Sequence, residues 1–139
     1  MQTITIEWHG SYNIERINLC ALASDKGIYA ISRIWGDTET LLYIGRTKRE
    51  FQSRLREHDH WLKLYRGQIK VRLGQMVSHN GVFSERLLAD AESLLIIWNE
   101  TVENTSNVNT YSGRALTINN VGRRGLLAKR ISSEDLIDY

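Results

Sequence analysis

Five side chains between residues 29 and 92 have the chemical types that phosphodiester hydrolysis needs. That reaction requires an activated water, a positive group that neutralises the charge of the transition state, and help for the leaving oxygen. Tyr29 and Tyr43 are the candidate proton-transfer groups, and His58 is a further proton carrier. Arg54 presents a planar fork that matches two phosphate oxygens. Glu92 is the candidate ligand for one divalent cation, Mg²⁺ or Mn²⁺, because Mg²⁺ keeps several waters and often needs only one or two carboxylates.

A tyrosine can act as a base near neutral pH only if its pKa is lowered. A free tyrosine has a pKa of about 10, so cations must lie beside whichever of the two tyrosines takes the proton. Arg46, Lys48 and Arg54 follow the second tyrosine closely in the sequence. Together with a phosphate-bound metal, they would supply the positive field.

A β-hairpin is predicted to bring the two tyrosines together. Gly27-Ile28-Tyr29 and Tyr43-Ile44-Gly45 each lie in a run rich in Ile, Tyr and Leu, which favours strands. Gly36-Asp37 between the runs is typical of a turn. The two strands should therefore be antiparallel and place the tyrosines side by side.

A basic helix is predicted directly after the hairpin. Thr47-Lys48-Arg49-Glu50 has the form of a capping box, in which Thr47 caps the helix and Glu50 reaches back to it. The apolar stripe of one continuous helix is then formed by Phe51, Leu55, Leu62 and Tyr65, and Gly67 ends the helix. Arg54 and His58 are four residues apart and therefore share a face at the edge of this stripe.

A second helix is predicted to carry Glu92. It begins after a cap at Ser84, runs to about Trp98 and has a broad apolar face. Glu92 lies on or beside that face, where an acid costs stability unless it is paired, protonated or bound to a cation. A structural salt bridge with Arg54 is the alternative role for Glu92. Further strands are expected at 3–8, 69–73 and 115–118, and a last short helix is expected to be capped by 132–135.

The two triplets, in this order and followed by a helical arginine and an acidic helix, resemble the signature of the GIY-YIG nuclease superfamily. The resemblance covers about Gly27 to Asn107. It implies an α+β fold in which helices flank a small central antiparallel three-stranded sheet. On this interpretation residues 1–139 form a single domain with its core at about 27–107. Residues 1–26 would be an N-terminal extension and 114–139 a basic C-terminal extension.

The resemblance also implies roles for the candidate residues. Tyr29 matches the tyrosine regarded as the general base, and Tyr43 matches the tyrosine that assists it or contacts the phosphate. Arg54 matches the helical arginine and Glu92 the metal-binding glutamate. His58 matches a position that is His or Tyr in related enzymes.

Three further positions follow from the resemblance. The family has an asparagine in the loop after the glutamate, for which Asn104 is the choice and Asn107 the fallback. Arg46 stands where some relatives have Lys or another polar residue. The spacing from the second tyrosine to the arginine is one residue longer than in some relatives, which leaves Arg56 as the alternative to Arg54.

Charge is distributed unevenly along the chain, although its formal net value is only +2. Residues 46–72 contain nine Lys or Arg against three acids, residues 85–103 are acidic, and residues 114–130 contain five bases and no acid. This pattern predicts either a phosphate-binding surface with an acidic, cation-attracting spot or simply solvated helix faces. The expected nucleic-acid contacts are Arg46, Lys48, Arg56, Arg123, Arg124, Lys129 and Arg130.

Composition limits the class of protein. At 139 residues, 42% apolar and 24% charged, the chain is typical of a single globular domain. It has no apolar run near the length of a membrane span and no secretory signal pattern, so a membrane partner is not expected. The single Cys20 fits a reducing cytoplasm, and the scattered histidines do not predict a zinc site.

The sequence therefore predicts a cytoplasmic, Mg²⁺-dependent endonuclease that hydrolyses DNA with one metal ion. Whether the DNA is duplex, branched or single-stranded stays open. One alternative is a non-catalytic nucleic-acid-binding module that uses the basic helix and the C-terminal tail. Another is a compact restriction enzyme that acts as a homodimer to cut both strands.

Overall fold

A computed structural model describes residues 2–19, 22, 27–78, 84–104 and 110–136; Cys20 lies outside them. The strands of the described part are β1 (Gln2–Asn13), β2 (Gly27–Trp35), β3 (Thr38–Thr47), β4 (Gln68–Ser78), β5 (Leu116–Gly122) and β6 (Arg130–Ser132). The α-helices are α1 (Phe51–Arg56), α2 (Asp59–Leu62) and α3 (Glu85–Trp98), and 3₁₀ helices span Ile14–Leu19 and Ser133–Leu136. None of the described helices combines the length and the apolar composition that crossing a membrane requires.

The strands form one six-stranded mixed sheet that curls into a half-barrel in the order β3-β2-β4-β1-β5-β6. β1 is parallel to β5, and the other neighbouring strands are antiparallel. The prediction of a small three-stranded sheet flanked by helices is therefore wrong. Its three strands are present as β3, β2 and β4, but they make up only half of a larger sheet.

The sheet is larger than predicted because the two outer segments of the chain join its interior. β1 lies between β4 and β5, and its inward-facing Ile4, Ile6 and Trp8 are at most 1% exposed. Leu116 and Ile118 of β5 are fully buried beside them. β1 and β5 are thus part of the same sheet as β2, β3 and β4. The alternation of residues 3–8 predicted a strand correctly, but alternation does not specify which strand is its partner.

The predicted hairpin is present as β2 and β3, which pair Tyr29 with Gly45 and Gly27 with Thr47. Gly27 has a positive φ of 155°, and a Cβ there would lie 2.4 Å from the carbonyl oxygen of Gly74 in β4. A side chain at residue 27 would therefore push β4 away from β2. This close approach explains why the first triplet begins with glycine.

The sheet is covered on both faces. α3 packs on one face against Ile28 and Ala30 of β2, and α1, α2 and the first 3₁₀ helix pack on the other face against Tyr29 and Ile31. β2 is consequently buried on both sides. Glu92 therefore comes from one layer, and the tyrosine and histidine side chains come from the other.

The helical predictions have mixed outcomes. α3 is confirmed, because it spans Glu85–Trp98 and the Ser84 hydroxyl accepts a hydrogen bond from the Leu87 amide at 3.1 Å. The capping box is wrong: Thr47 ends β3 and its hydroxyl accepts from the Arg49 amide at 3.0 Å, while Glu50 is the N-cap of α1 without a side-chain cap bond.

The single continuous helix after the hairpin is also wrong, since α1 and α2 are separate. The amides of Glu57 and His58 bond to carbonyls three residues back, those of Arg54 and Leu55. These tighter turns break the helix between residues 56 and 59. His58 lies in this break and not within one continuous helix, as the sequence had predicted.

Candidate active site

Six of the predicted site residues line one pocket of about 530 Å³ beside β3. Its lining includes Tyr43, Arg46, Lys48, Arg54, Glu92 and Asn104. Arg49 and Glu85 complete its charged wall, so four cations face two carboxylates. The excess of positive charge makes the pocket suited to an anionic group such as a phosphate.

Tyr29 is not part of the pocket lining but packs against Tyr43, which is. Its ring stacks on that of Tyr43 with centroids 6.1 Å apart, and it is fully buried. Its hydroxyl lies 2.7 Å from His58 Nε2, and the Trp61 indole donates to His58 Nδ1 at 3.0 Å. The structure thus brings Tyr29, Tyr43 and His58 together, as the sequence predicted. Trp61 was not anticipated, because nothing in the sequence indicates that its indole N–H bonds the His58 ring.

Gly45 allows this ring packing. A Cβ at residue 45 would lie 2.4 Å from both the Cζ and the hydroxyl oxygen of Tyr29, and 2.8 Å from the Tyr43 ring. The two tyrosine side chains therefore occupy the space that any other residue at position 45 would need. The glycine of the second triplet is explained by this contact.

Burial dominates the ionisation of the two buried groups. Burial raises the pKa of Tyr29, while the charge of Arg54 acts in the opposite direction. Burial and, to a smaller extent, the charge of Arg54 lower the pKa of His58 to about 4. The cations of the protein itself therefore do not lower the pKa of Tyr29 below its ordinary value. A tyrosine that acts as a base near neutral pH needs such a lowered pKa. His58 is neutral at physiological pH.

Arg54 connects the pocket to Tyr29. Its charge acts on Tyr29 and opposes the rise of the Tyr29 pKa, and its guanidinium donates to the carboxylate of Glu57 just after α1. Arg56, the alternative, is exposed and does not line the pocket within the described part of the chain. The geometry therefore favours Arg54 as the phosphate-binding arginine.

Glu92 is paired with Arg46, whose Nη1 donates to Glu92 Oε1 at 2.5 Å. The structural salt bridge considered between Glu92 and Arg54 is not formed, since Arg54 pairs with Glu57. Burial raises the pKa of Glu92, and the charge and hydrogen bonds of Arg46 lower it, with burial the larger effect. Arg46, predicted to contact nucleic acid, thus has a direct role in holding this carboxylate.

Glu92 is the candidate ligand in this pocket for one hydrated divalent cation. In the described residues no cluster of three or more His, Cys, Asp or Glu side chains is positioned to hold a metal. Mg²⁺ does not need such a cluster, because it retains waters and is often bound by one or two carboxylates. Glu92 supplies one carboxylate on the pocket wall, and the Tyr43 side chain shares that wall.

Asn104 binds the backbone of the second triplet. Its Nδ2 donates to the Ile44 carbonyl and its Oδ1 accepts from the Ile44 amide, both at 2.9 Å. The Glu103 amide also donates to the Leu42 carbonyl at 2.8 Å. The segment after α3 is thereby held along the outer edge of β3. Asn107, the fallback, lies outside the described residues.

Replacing Asn104 by alanine is expected to lower the free energy of unfolding by about 1–3 kcal/mol, because both backbone groups of Ile44 lose a partner. Urea denaturation measures the loss, and faster hydrogen exchange at the Ile44 amide locates it. Val102→Ala, in the same segment but 58% exposed, is the matched control and should change stability little. Equal effects of the two substitutions would contradict the role given to Asn104.

Lowering the pH from 6.5 to 4 is expected to destabilise the protein through His58. The pKa of His58 falls from 6.5 to about 4 on folding, so the unfolded chain binds the proton first in this window. Stability therefore rises with pH across the window, by up to roughly 3 kcal/mol for this group. Thermal denaturation across this range should show a weaker pH dependence in His58→Gln. The exposed His60 gives the control, His60→Gln, and a slope unchanged in His58→Gln would refute the assignment.

The remaining basic residues predicted to contact nucleic acid lie away from this pocket. In the described part of the chain, none of Arg123, Arg124, Lys129 and Arg130 is part of its lining. Arg123 and Arg124 follow β5, Lys129 directly precedes β6, and Arg130 begins β6. Arg124 donates to the Leu127 carbonyl at 2.7 Å. Lys48 does line the pocket and faces Glu85 at 3.7 Å.

A comparison of the chain with protein-family models, with curated proteins and with solved structures found no match. The functional interpretation therefore depends on the residues and geometry of this chain.

Proposed function

We propose that the protein is a metal-dependent endonuclease that hydrolyses DNA, as its resemblance to the GIY-YIG nucleases implies. The observation that carries the proposal is the convergence of Tyr43, Arg54 and Glu92 on one positively charged pocket, with Tyr29 directly behind them. These side chains come from two strands and from helices on opposite faces of the sheet. Packing alone would not require them to meet.

The chain supplies the groups that bind and orient a phosphate. The charge of Arg54 acts on Tyr29, so a phosphate bound by Arg54 would lie on the side of the pocket toward the Tyr29 hydroxyl. When Tyr29 is in its anionic form, its phenolate oxygen would take the proton of the attacking water. Tyr43, which lines the pocket, would contact the phosphate or the water. Arg54 would neutralise the charge that develops on the phosphate oxygens.

Glu92 would hold the cation, Mg²⁺ or Mn²⁺, which when bound supplies a Lewis acid and makes a bound water more acidic. Arg46 already bonds one oxygen of this carboxylate. It therefore limits how Glu92 can meet a cation and keeps the carboxylate oriented toward β3. Burial of an acid beside the apolar face of α3 is costly, and binding a cation offsets that cost.

A non-catalytic nucleic-acid-binding module remains the second candidate, and one observation favours it. Because Arg46 satisfies Glu92, the carboxylate has a structural partner without any metal. A pocket with four cations would then bind phosphate through charge alone. Such binding would weaken steeply with salt and lead to no cleavage.

One purified preparation tested on several nucleic acids separates these functions. Duplex, single-stranded and branched DNA and RNA are incubated with Mg²⁺, with Mn²⁺ or with EDTA. The nuclease proposal expects cleavage of at least one DNA form that requires metal and stops in EDTA. Salt-sensitive binding of every form without cleavage would instead support the binding module. Cleavage of duplex at fixed sequences by a dimer would identify the compact restriction enzyme.

A further inference from the structure

Trp61 closes a chain of hydrogen bonds that ends at Tyr29. The Trp61 indole nitrogen lies 3.0 Å from His58 Nδ1, and His58 Nε2 lies 2.7 Å from the Tyr29 hydroxyl oxygen. His58 is 6% exposed and Tyr29 is fully buried. Both ring nitrogens of His58 are therefore engaged inside the protein. Rotating the ring by half a turn would put carbon atoms in both positions and remove both bonds.

The indole N–H of Trp61 determines which group donates in both hydrogen bonds. An indole N–H can only donate, so His58 Nδ1 must accept and carries no proton. Neutral imidazole has a single ring proton, which is then on Nε2. His58 Nε2–H consequently donates to the Tyr29 oxygen, and Tyr29 cannot donate to His58.

We propose that Trp61 is a positioning residue that fixes His58 as the Nε2–H tautomer, so that His58 donates a hydrogen bond to the oxygen of Tyr29. The consequence for catalysis rests on the proposed nuclease function, in which Tyr29 takes a proton from water. A donor stabilises the anionic form of a phenol more than its neutral form. His58 keeps its proton throughout and acts by orienting and stabilising Tyr29.

The surroundings of Tyr29 show why such a donor matters. Burial, Tyr43 and Glu92 all oppose a negative charge on Tyr29, and Arg54 favours it. His58 adds a hydrogen-bond donor directly at the Tyr29 oxygen. Without Trp61, the proton of His58 would be free to move to Nδ1. Nε2 would then become an acceptor and would favour the neutral phenol.

The first test measures the protonation of His58 in the unsubstituted protein. Long-range ¹H–¹⁵N correlation spectra of the ¹⁵N-labelled protein at pH 7 report which nitrogen of His58 is protonated, and a His58→Gln variant serves only to assign the signals. We expect Nδ1 to give the signal of an unprotonated nitrogen and Nε2 that of a protonated one. A proton on Nδ1, or on both nitrogens, would overturn the proposal.

The second test removes only the indole donor. Trp61→Phe keeps an aromatic ring but has no N–H, so the His58 signals should shift toward a mixture of tautomers. With the best-cleaved substrate, kcat should fall about tenfold, the effect of one hydrogen bond, and KM should be retained. Trp98→Phe, at the partly buried end of α3, is the control and should leave the signals and kcat unchanged. Unchanged His58 signals in Trp61→Phe would refute the role of Trp61.

Failure of this inference can be distinguished from failure of the proposed function. If no preparation cleaves any nucleic acid, the nuclease proposal fails, while the His58 signals still decide the direction of the hydrogen bonds. If Trp61→Phe cleaves at the wild-type rate, the nuclease proposal stands and the positioning role is refuted.

Discussion

Replacing Glu92 by glutamine is expected to reduce metal-dependent cleavage by about 10³-fold or more, because the pocket loses the carboxylate proposed to hold the cation. Binding of nucleic acid should change little, since the cations that line the pocket remain. Cleavage is measured with saturating Mg²⁺ and binding by fluorescence anisotropy in EDTA. A Glu92→Gln variant that cleaves at the wild-type rate would eliminate the proposed mechanism.

The same substitution should not unfold the protein. Burial raises the pKa of Glu92 above its ordinary value, so the ionised form of Glu92 opposes folding and a neutral amide of the same size does not. The unfolding midpoint of Glu92→Gln near neutral pH should therefore equal or exceed that of the wild type. Glu85→Gln is the matched control, because Glu85 lines the same pocket but is exposed and pairs with Lys48 at its mouth. That variant should retain cleavage within a few-fold.

Replacing Gly45 by alanine is expected to lower stability by about 1–3 kcal/mol and cleavage by about a hundredfold. The new methyl group would lie 2.4 Å from the Tyr29 ring, which is fully buried and cannot move into solvent. The ring must shift, and its hydroxyl then leaves its position beside His58 and Arg54. Chemical denaturation and kcat measure the two effects.

A second glycine separates loss of stability from loss of the site. Gly36 has a positive φ of 63°, which Gly45 does not, but a Cβ there would have no neighbour within 4 Å. Gly36→Ala should therefore cost stability through backbone strain alone and leave cleavage unchanged. In a double-mutant cycle with Tyr29→Phe, the stability loss from Gly45→Ala should be smaller than in the wild type, because the hydroxyl contact is gone. Additive effects would contradict this packing explanation.

Local signals in the sequence predicted the elements that depend on neighbours close in sequence. Ser84 and the apolar positions after it were enough to place α3, because a cap and a helical stripe are properties of a single segment. The hairpin that presents Tyr29 and Tyr43 was predicted for the same reason. The capping box failed because Thr47 remains paired with Gly27 in the sheet.

Contacts between segments that are far apart in the sequence could not be predicted from it. β1 pairs in parallel with β5, so Thr3 lies beside Thr117, and no periodicity within either segment indicates that partner. The Glu92–Arg46 pair was missed because it joins α3 to the end of β3. The hydrogen bond of Trp61 with His58 was missed for a different reason, because a spacing of three residues does not indicate that an indole N–H meets an imidazole nitrogen.

The segment that follows α3 has a consequence for self-association. The amides of Val102 and Glu103 and the side chain of Asn104 bond to the backbone of β3 on its outer side. An exposed strand edge can recruit a strand from another molecule and start aggregation, and covering the edge prevents this. From Leu41 to Ile44 the edge of β3 beside the pocket is therefore closed to intermolecular pairing, and the other outer strand of the described sheet is β6.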